Sequence, residues 1–203
     1  MSLTIDRCLR WSLVGLLTTA VAACSVLEPQ ADHSEFYVLT SVSEVPTNVP
    51  PAPVGLVVGV GPIEFPDYLD RSERVVRVGV NQVRFSDNER WAEPLERNFA
   101  RVLAQNLSVL LDTGRIYVFP WFTSLAISHE VKVDVLQFDT DRDGDATLRV
   151  RWALRAESSE QVVISKESRF EQPSRGSGPE GAVQALSEAV GQLASEIATA
   201  VYR

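Results

Sequence analysis

Hydrophobic positions along the chain change their spacing several times, and each spacing predicts a different element. Residues 54–60 form a continuous apolar run, which is typical of a strand buried on both faces. Residues 129–139 and 146–157 alternate apolar and polar side chains on either side of Asp-Arg-Asp-Gly-Asp, which predicts a hairpin with Gly144 in its turn. Shorter runs predict further strands at residues 36–40, 74–80, 83–86, 116–119 and 161–170.

Two segments have helical spacing instead. Apolar residues recur at steps of three and four between residues 91 and 111, with Pro94 in the first turn and Gly114 after the end. The same steps return between residues 183 and 201, after a loop at residues 173–179. Two amphipathic helices and some seven or eight strands predict a single α/β or α+β domain, in which the helices pack on a mixed sheet.

The N-terminus has the layout of an export signal. Arg7 and Arg10 precede an uncharged stretch at residues 11–23 that is shorter than the ~20 apolar residues a transmembrane helix needs. The stretch ends in Val21-Ala22-Ala23-Cys24, the pattern of a bacterial lipobox. We therefore expect residues 1–23 to be removed and Cys24 to carry acyl chains, which would anchor the chain stably. The alternative is an ordinary signal peptide cut near Ala23, leaving a free cysteine.

The mature chain divides into a tether and one domain. Residues 24–34 are mostly polar and are expected to form the tether, and residues 35–203 the folded domain. Cys8 leaves with the signal, so Cys24 is the last cysteine and the domain can form neither a disulfide nor a thiolate metal site. The net charge of −8 becomes one unit more negative when Asp6, Arg7 and Arg10 are removed, which argues against nucleic acid as a partner.

Candidate chemistry is sparse. His33 and His129 are the only histidines, and no G-x-S-x-G elbow accompanies them. Asp139, Asp141, Asp143 and Gly144 match the first half of a calcium loop, but position twelve of that loop is valine, so we interpret the run as an acidic hairpin tip. The sequence therefore predicts no enzyme, no catalytic residue, no cofactor and no metal.

Three motifs resemble a known family. They are V-G-V-G-P-I-E-F-P-D-Y-L-D-R at residues 58–71, R-W-A-E-P-L at residues 90–95 and L-A-Q-N-L at residues 103–107. Together they resemble the PqiC/YmbA lipoproteins, also called ABC-type transport auxiliary lipoproteins. The resemblance implies an outer-membrane lipoprotein on the periplasmic side of a Gram-negative envelope, and Ser25 after Cys24 is consistent with outer-membrane sorting.

The resemblance also implies partners. An MCE-domain protein would bridge the envelope and carry lipids, together with an inner-membrane permease, with or without an ABC ATPase. Family members assemble as ring-shaped homo-oligomers, which would place a docking collar at the membrane. No catalytic residue is carried over.

The segment 61–71 is the best candidate for a contact surface, because it combines apolar, aromatic and charged residues with two prolines. We expect Tyr68, Leu69, Arg71 and Trp91 to contact another subunit or partner, so alanine at Leu69 and Trp91 should dissociate the oligomer and leave the monomer folded. The alternative is a structured connection that packs Phe65 and Tyr68 into the core.

Two other functions stay open. One is a stand-alone envelope lipoprotein that is structural or binds cell wall or a small ligand, and it predicts a monomer with no transport partner. The other is a lipid-carrying pocket inside the monomer, which is disfavoured because ordinary strand and helix faces account for the apolar residues.

Overall fold

The structure is a computed structural model that describes residues 33–41, 52–156 and 162–202. The predicted lipidation site Cys24, the predicted signal peptide and most of the predicted tether lie outside these residues. The elements described below belong to one compact unit, Ser34–Arg203.

In the described residues, four strands are followed by a helix, and four more strands by a second helix. Together they form an open mixed sheet with helices, an α+β single domain as predicted. A single 3₁₀ turn, Asp67–Leu69, follows the second strand. The strands are β1 (Glu35–Tyr37), β2 (Val58–Glu64), β3 (Glu73–Gly79), β4 (Gln82–Trp91), β5 (Ile116–Val118), β6 (His129–Thr140), β7 (Ala146–Ala156) and β8 (Val162–Gln172). The helices are α1 (Leu95–Leu110) and α2 (Gly178–Val201).

The long strand β6 organises the sheet. One of its edges pairs antiparallel with β7 from His129 to Thr140, and β7 pairs antiparallel with β8. The other edge pairs in parallel with β2 near the start of β6 and with β3 at its end, where Val76 lies opposite Thr140. The sheet therefore branches at β6, with β5 beyond β2 on one branch and β4 and β1 beyond β3 on the other.

Alternation along the strands places the core on one face of the sheet. Alternate residues of β6 and β7 are buried beneath the two helices, and each large apolar side chain buried in this way contributes about 1.5–3 kcal/mol. The opposite face carries exposed ion pairs such as Arg151 with Asp134 and Arg149 with Glu167. Strands β6 and β7 thus each have one apolar and one polar face, as their alternation predicted.

Strand β2 is covered on its second face by a loop. A Cβ atom built on Gly59 would lie only 2.8 Å from Cη2 of Trp121 and 3.1 Å from Cγ2 of Ile127. Glycine is therefore required here by the close approach of the indole ring. The prediction of burial on both faces is confirmed for residues 58–60, whereas Val54, at the start of the predicted run, is exposed.

Several boundaries differ from the predictions: β1 ends at Tyr37 rather than residue 40, β4 continues to Trp91 rather than residue 86, and the last helix begins at Gly178, within the predicted loop. Two further differences affect β2 and α1. Strand β2 begins at Val58 rather than residue 54 and continues to Glu64, because Ile63 and Glu64 pair with β6 beyond a bulge. Helix α1 begins at Leu95 rather than residue 91, because Trp91 completes β4 and its N–H donates to the carbonyl of Ser72 at 2.7 Å.

Candidate docking site

The first two family-like motifs meet in one surface cleft. The turn after β2 forms one wall, and the junction between β4 and α1 forms the other. We call this the motif cleft; its volume is about 460 Å³, and its lining residues are Phe65, Asp67, Leu69, Asp70, Arg71, Ser72, Trp91, Ala92, Glu93, Pro94, Leu95 and Glu96. Two segments separated in the sequence by residues 73–90 thus share one site.

The first wall is fastened to the core at Phe65 and Leu69. The Phe65 ring meets Phe99 and Phe138 edge to face, with centroid distances of 5.4 and 6.3 Å. Leu69 is 2% exposed, and its N–H donates to the carbonyl of Pro66 at 2.9 Å to close the 3₁₀ turn. Phe65 and Tyr68 both pack against the core, as the alternative interpretation of this segment as a structured connection predicted.

The ion pair between Arg77 and Asp139 contacts the same wall through Tyr68. The Asp139 side chain is 1% exposed and accepts from Nη2 of Arg77 at 2.6 Å and from Nε2 of Gln137 at 2.8 Å. Tyr68 donates its hydroxyl to the same carboxylate at 3.4 Å. The hydrogen bond to Asp139 raises the pKa of Arg77, while burial and then the Asp139 charge raise the pKa of Tyr68.

This pair corrects one interpretation of the sequence. Asp139 is not part of a solvated hairpin tip, because β6 carries it under Arg77. Asp141 is the residue that organises the turn, since its Oδ1 accepts from the N–H groups of Asp143 and Asp145 at 2.9 and 3.0 Å. Among residues 33–41, 52–156 and 162–202, no group of three or more potential ligand side chains is arranged to hold a metal ion.

Arg71 is the most distinctive side chain of the motif cleft. Its guanidinium carbon lies 3.5 Å from the centroid of the Phe85 ring, a cation–π geometry. Its Nε is buried, and within the described part of the chain no atom accepts a hydrogen bond from it. An unsatisfied buried donor of this kind costs about 1–3 kcal/mol.

The second wall is ordered by a polar network at the start of α1. Glu93 accepts from Nδ2 of Asn98 and from Nη2 of Arg101, both at 2.6 Å, and the hydrogen bond from Arg101 is the main cause of its lowered pKa. Oδ1 of Asn98 in turn accepts from the N–H of Leu39 at 2.6 Å. The network ties the segment after β1 to this wall of the cleft.

The four residues expected to form a contact occupy different environments. Leu69, Arg71 and Trp91 line the motif cleft, whereas Tyr68 is not among the lining residues and directs its hydroxyl to Asp139. Leu69 and Trp91 are 2% and 6% exposed, so their side chains belong to the core of the monomer. A contact at this cleft would involve the exposed residues of its rim, and whether it forms stays a prediction.

Sequence reasoning missed the rim itself. Asp67, Asp70, Ala92, Pro94 and Glu96 are exposed around the cleft. The R-W-A-E-P-L motif was the available signal, since it contains both Ala92 and Pro94. The interpretation of residue 91 as the helix start placed that motif on a helix instead of at a strand–helix junction.

His129 lies at the start of β6, next to Ser128 in the sequence. Its Nδ1 lies 3.1 Å from Oγ of Ser128, and that hydroxyl donates to the carbonyl of Val57 at 2.9 Å. Burial lowers the pKa of His129 and so favours the neutral ring. The pair closes the start of β6 against the segment before β2.

In the part of the chain that the structure describes, neither helix combines the length and the apolar character that crossing a bilayer requires.

Comparisons with known proteins identify the family and the fold. A family model described as the ABC-type transport auxiliary lipoprotein component matches residues 37–198. A crystal structure of a DUF330 protein from Xanthomonas campestris superposes with a TM-score of 0.67 at 18% identity, covering 81% of this chain and 93% of that one. Another, described as an uncharacterized protein, gives a TM-score of 0.66 at 22% identity, covering 82% and 97%. A search of curated proteins found no match.

Proposed function

The chain belongs to the family of ABC-type transport auxiliary lipoproteins, and on that basis we propose that it is the outer-membrane-anchored, periplasmic component of an MCE-type intermembrane lipid transport system. Acyl chains on Cys24 hold the domain at the membrane, the domain assembles into a homo-oligomeric ring, and the MCE-domain protein docks on that ring. An inner-membrane permease, with or without an ABC ATPase, completes the system. Residues 1–23 are the signal peptide, 24–34 the tether and 35–203 the domain.

One observation supports docking at a defined place. The two most specific family-like motifs, 58–71 and 90–95, are brought together by the fold in the motif cleft. Leu69 and Trp91 line the cleft but are buried in the core. They can therefore support the exposed rim without touching a partner. The family is a transport component rather than an enzyme family, and the proposed role requires no reacting group.

The chemistry of the rim describes the expected partner surface. Asp67, Asp70 and Glu96 place carboxylates around the cleft, which Arg71 also lines. A docking segment is therefore expected to present basic side chains at its edges, opposite these carboxylates.

Photo-crosslinking in cells tests this proposal. A photoreactive amino acid is placed at Ala92, an exposed residue of the cleft, and in a separate variant at Glu167 on the charged face of the sheet. The full-length, lipidated protein is purified after illumination and its adducts are identified by mass spectrometry. We expect an MCE-domain protein, self-adducts or both from position 92, and neither from position 167.

The contrary results are equally specific. Adducts that form from position 167 and not from position 92 would place the interface on the other face of the sheet. A monomer with no transport protein attached, or with cell-wall fragments attached, would favour the stand-alone envelope lipoprotein.

A further inference from the structure

An uncharged stretch of the chain displays aromatic side chains to solvent. Residues 116–129 lie between Arg115 and Glu130 and contain no Asp, Glu, Lys or Arg. Three of the eight exposed large hydrophobic residues found in the described part of the chain fall within it: Val118, Phe119 and Phe122, at 38%, 52% and 81% exposure. We call residues 118–127 the aromatic loop. Because its exposed members cluster in the sequence, they differ from the singly scattered apolar residues of ordinary surfaces.

The aromatic loop is fastened to the sheet at both ends. The N–H of Phe119 donates to the carbonyl of Val60 at 2.9 Å, and that of Ser128 donates to the carbonyl of Val57 at 2.9 Å. Between them the Trp121 ring fills the space over Gly59, and the Phe119 ring meets it edge to face at 5.4 Å. Phe122 is therefore exposed on a loop that is hydrogen-bonded to the sheet near both of its ends.

We propose that the aromatic loop rests in the interfacial layer of the bilayer to which the N-terminus is anchored. The inference depends on the proposed acylation of Cys24. Residues 25–34 reach at most about 35 Å when fully extended, so the acyl chains keep the domain beside the membrane and raise the local concentration of lipid at the loop.

The chemistry of the loop suits that layer. Phenylalanine and tryptophan side chains are favoured at the membrane interface, and each buried apolar side chain there adds to binding. The mature chain is strongly acidic and would be repelled by anionic lipids, but the loop brings no carboxylate to the surface. It is thus a part of an acidic protein that itself brings no negative charge to the lipid.

A second copy of the chain is a weaker occupant. Strand addition at the outer edge of the sheet would require a run of free N–H and C=O groups. Strand β5 is only three residues long, and the loop that follows contains Pro120, which has no N–H. The edge therefore offers few hydrogen-bonding groups to a partner strand. The exposed aromatic rings are the main feature of this surface that could bind another molecule.

Site-specific fluorescence tests the contact. Phe122→Cys is labelled with an environment-sensitive thiol probe, with Val80→Cys as the matched control, since Val80 is 91% exposed at the β3–β4 turn. Cys8 leaves with the signal and Cys24 is acylated, so the engineered cysteine is the sole thiol. The full mature lipoprotein is inserted into vesicles of phosphatidylethanolamine and phosphatidylglycerol, with and without bromine on the acyl chains.

We expect the probe at position 122 to shift to the blue and to lose several-fold more emission to the brominated lipid than the probe at position 80. Equal, small quenching at both positions would overturn the proposal. A blue shift at position 122 without quenching would also overturn it, because the loop would then be covered by protein. Failure of the anchor is seen separately, as a mature protein whose intact mass lacks acyl chains.

Discussion

Leu69 and Arg71 lie two positions apart, but they have different tasks in the motif cleft. Leu69 is enclosed by the core, while Arg71 stacks on Phe85 and keeps a buried Nε donor that no described residue uses. A substitution at Leu69 therefore tests folding, and one at the rim of the cleft tests association. The expectation that alanine at Leu69 or Trp91 would leave the monomer intact does not fit their burial.

We expect Leu69→Ala to lower the free energy of unfolding by about 2–5 kcal/mol, because it removes a fully buried side chain and leaves a cavity. Urea denaturation of the purified protein measures the change. The matched control is Val80→Ala at a solvent-exposed position, where a change within about 0.5 kcal/mol is expected. A Leu69→Ala variant as stable as the wild type would show that this turn contributes little to the core.

Glu196 provides a residue-scale prediction about pH. Burial alone would raise its pKa, but hydrogen bonds from Lys166, Ser168 and Trp152 outweigh it and hold the pKa below the ordinary value of 4.5. Because the folded-state pKa is the lower one, the stabilisation is fully present above pH 4.5 and is lost as the pH falls through the folded-state pKa.

Glu196→Gln should remove the pH-dependent contribution of this carboxylate to the free energy of unfolding. The wild type is expected to be the more stable of the two above pH 4.5, and the difference should narrow on acidification. Urea denaturation over a series of pH values checks this, with Ser168→Ala, which removes one donor, as an intermediate case. A difference in unfolding free energy between wild type and Glu196→Gln that stays constant with pH would contradict this prediction.

At the scale of elements, β2 depends on the close approach of the loop that covers it. We expect Gly59→Ala to displace the Trp121 ring and to cost about 1–3 kcal/mol, since the added Cβ would meet the ring at 2.8 Å. The change should appear in urea denaturation and in tryptophan emission.

Gly79→Ala is the control for this prediction. Gly79 also lies in a strand, but its added Cβ would meet Cβ of Gln82 at an ordinary 3.6 Å. A change within about 0.5 kcal/mol is expected there. Equal losses at the two glycines would mean that strand propensity, and not the indole contact, sets the cost at position 59.

Elements whose pattern is local were predictable from the sequence. The β6–β7 hairpin was predicted to within one residue at each end, because apolar and polar residues alternate along most of both strands. The end of β2 was not predictable in this way, because Pro62 and the charged residues after it favour a loop. Only pairing with a strand some 70 positions later extends β2 to Glu64. Such non-local pairing leaves no mark in the local pattern.

The candidate site was predictable only in part, for the same reason. The motifs singled out Leu69, Arg71 and Trp91, and the structure brings these three together at one cleft. Which of them would be buried could not be inferred, because Trp91 was placed on a helix and the packing of the 3₁₀ turn depends on Phe99 and Phe138 from distant elements.

At the scale of the whole molecule, three surfaces differ in chemistry. The charged face of the sheet carries exposed ion pairs, as ordinary solvated surfaces do. Each such pair stabilises the fold by about 0–1 kcal/mol. The aromatic loop is uncharged, and the motif cleft combines carboxylates with one buried arginine donor. A tethered protein with these surfaces could face lipid with one and a protein partner with another.

Ala92→Arg separates association from folding at the motif cleft. Ala92 is exposed, and its backbone N–H, which donates to the carbonyl of Tyr37 at 2.9 Å, is retained in the variant. Monomer stability should therefore change by no more than about 0.5 kcal/mol, whereas the long charged side chain would obstruct the cleft. We expect loss of the MCE-domain protein from the purified complex, or a smaller oligomer by light scattering.

Val80→Arg introduces the same charge at an exposed turn away from the cleft and should leave both readouts unchanged. Wild-type recovery of the partner together with a wild-type oligomer in Ala92→Arg would exclude the motif cleft as the interface. Loss of association in Val80→Arg as well would mean that added positive charge, and not the place where it is added, disrupts the assembly. Only a loss confined to Ala92→Arg assigns docking to the cleft, because the two variants share the charge and differ in position.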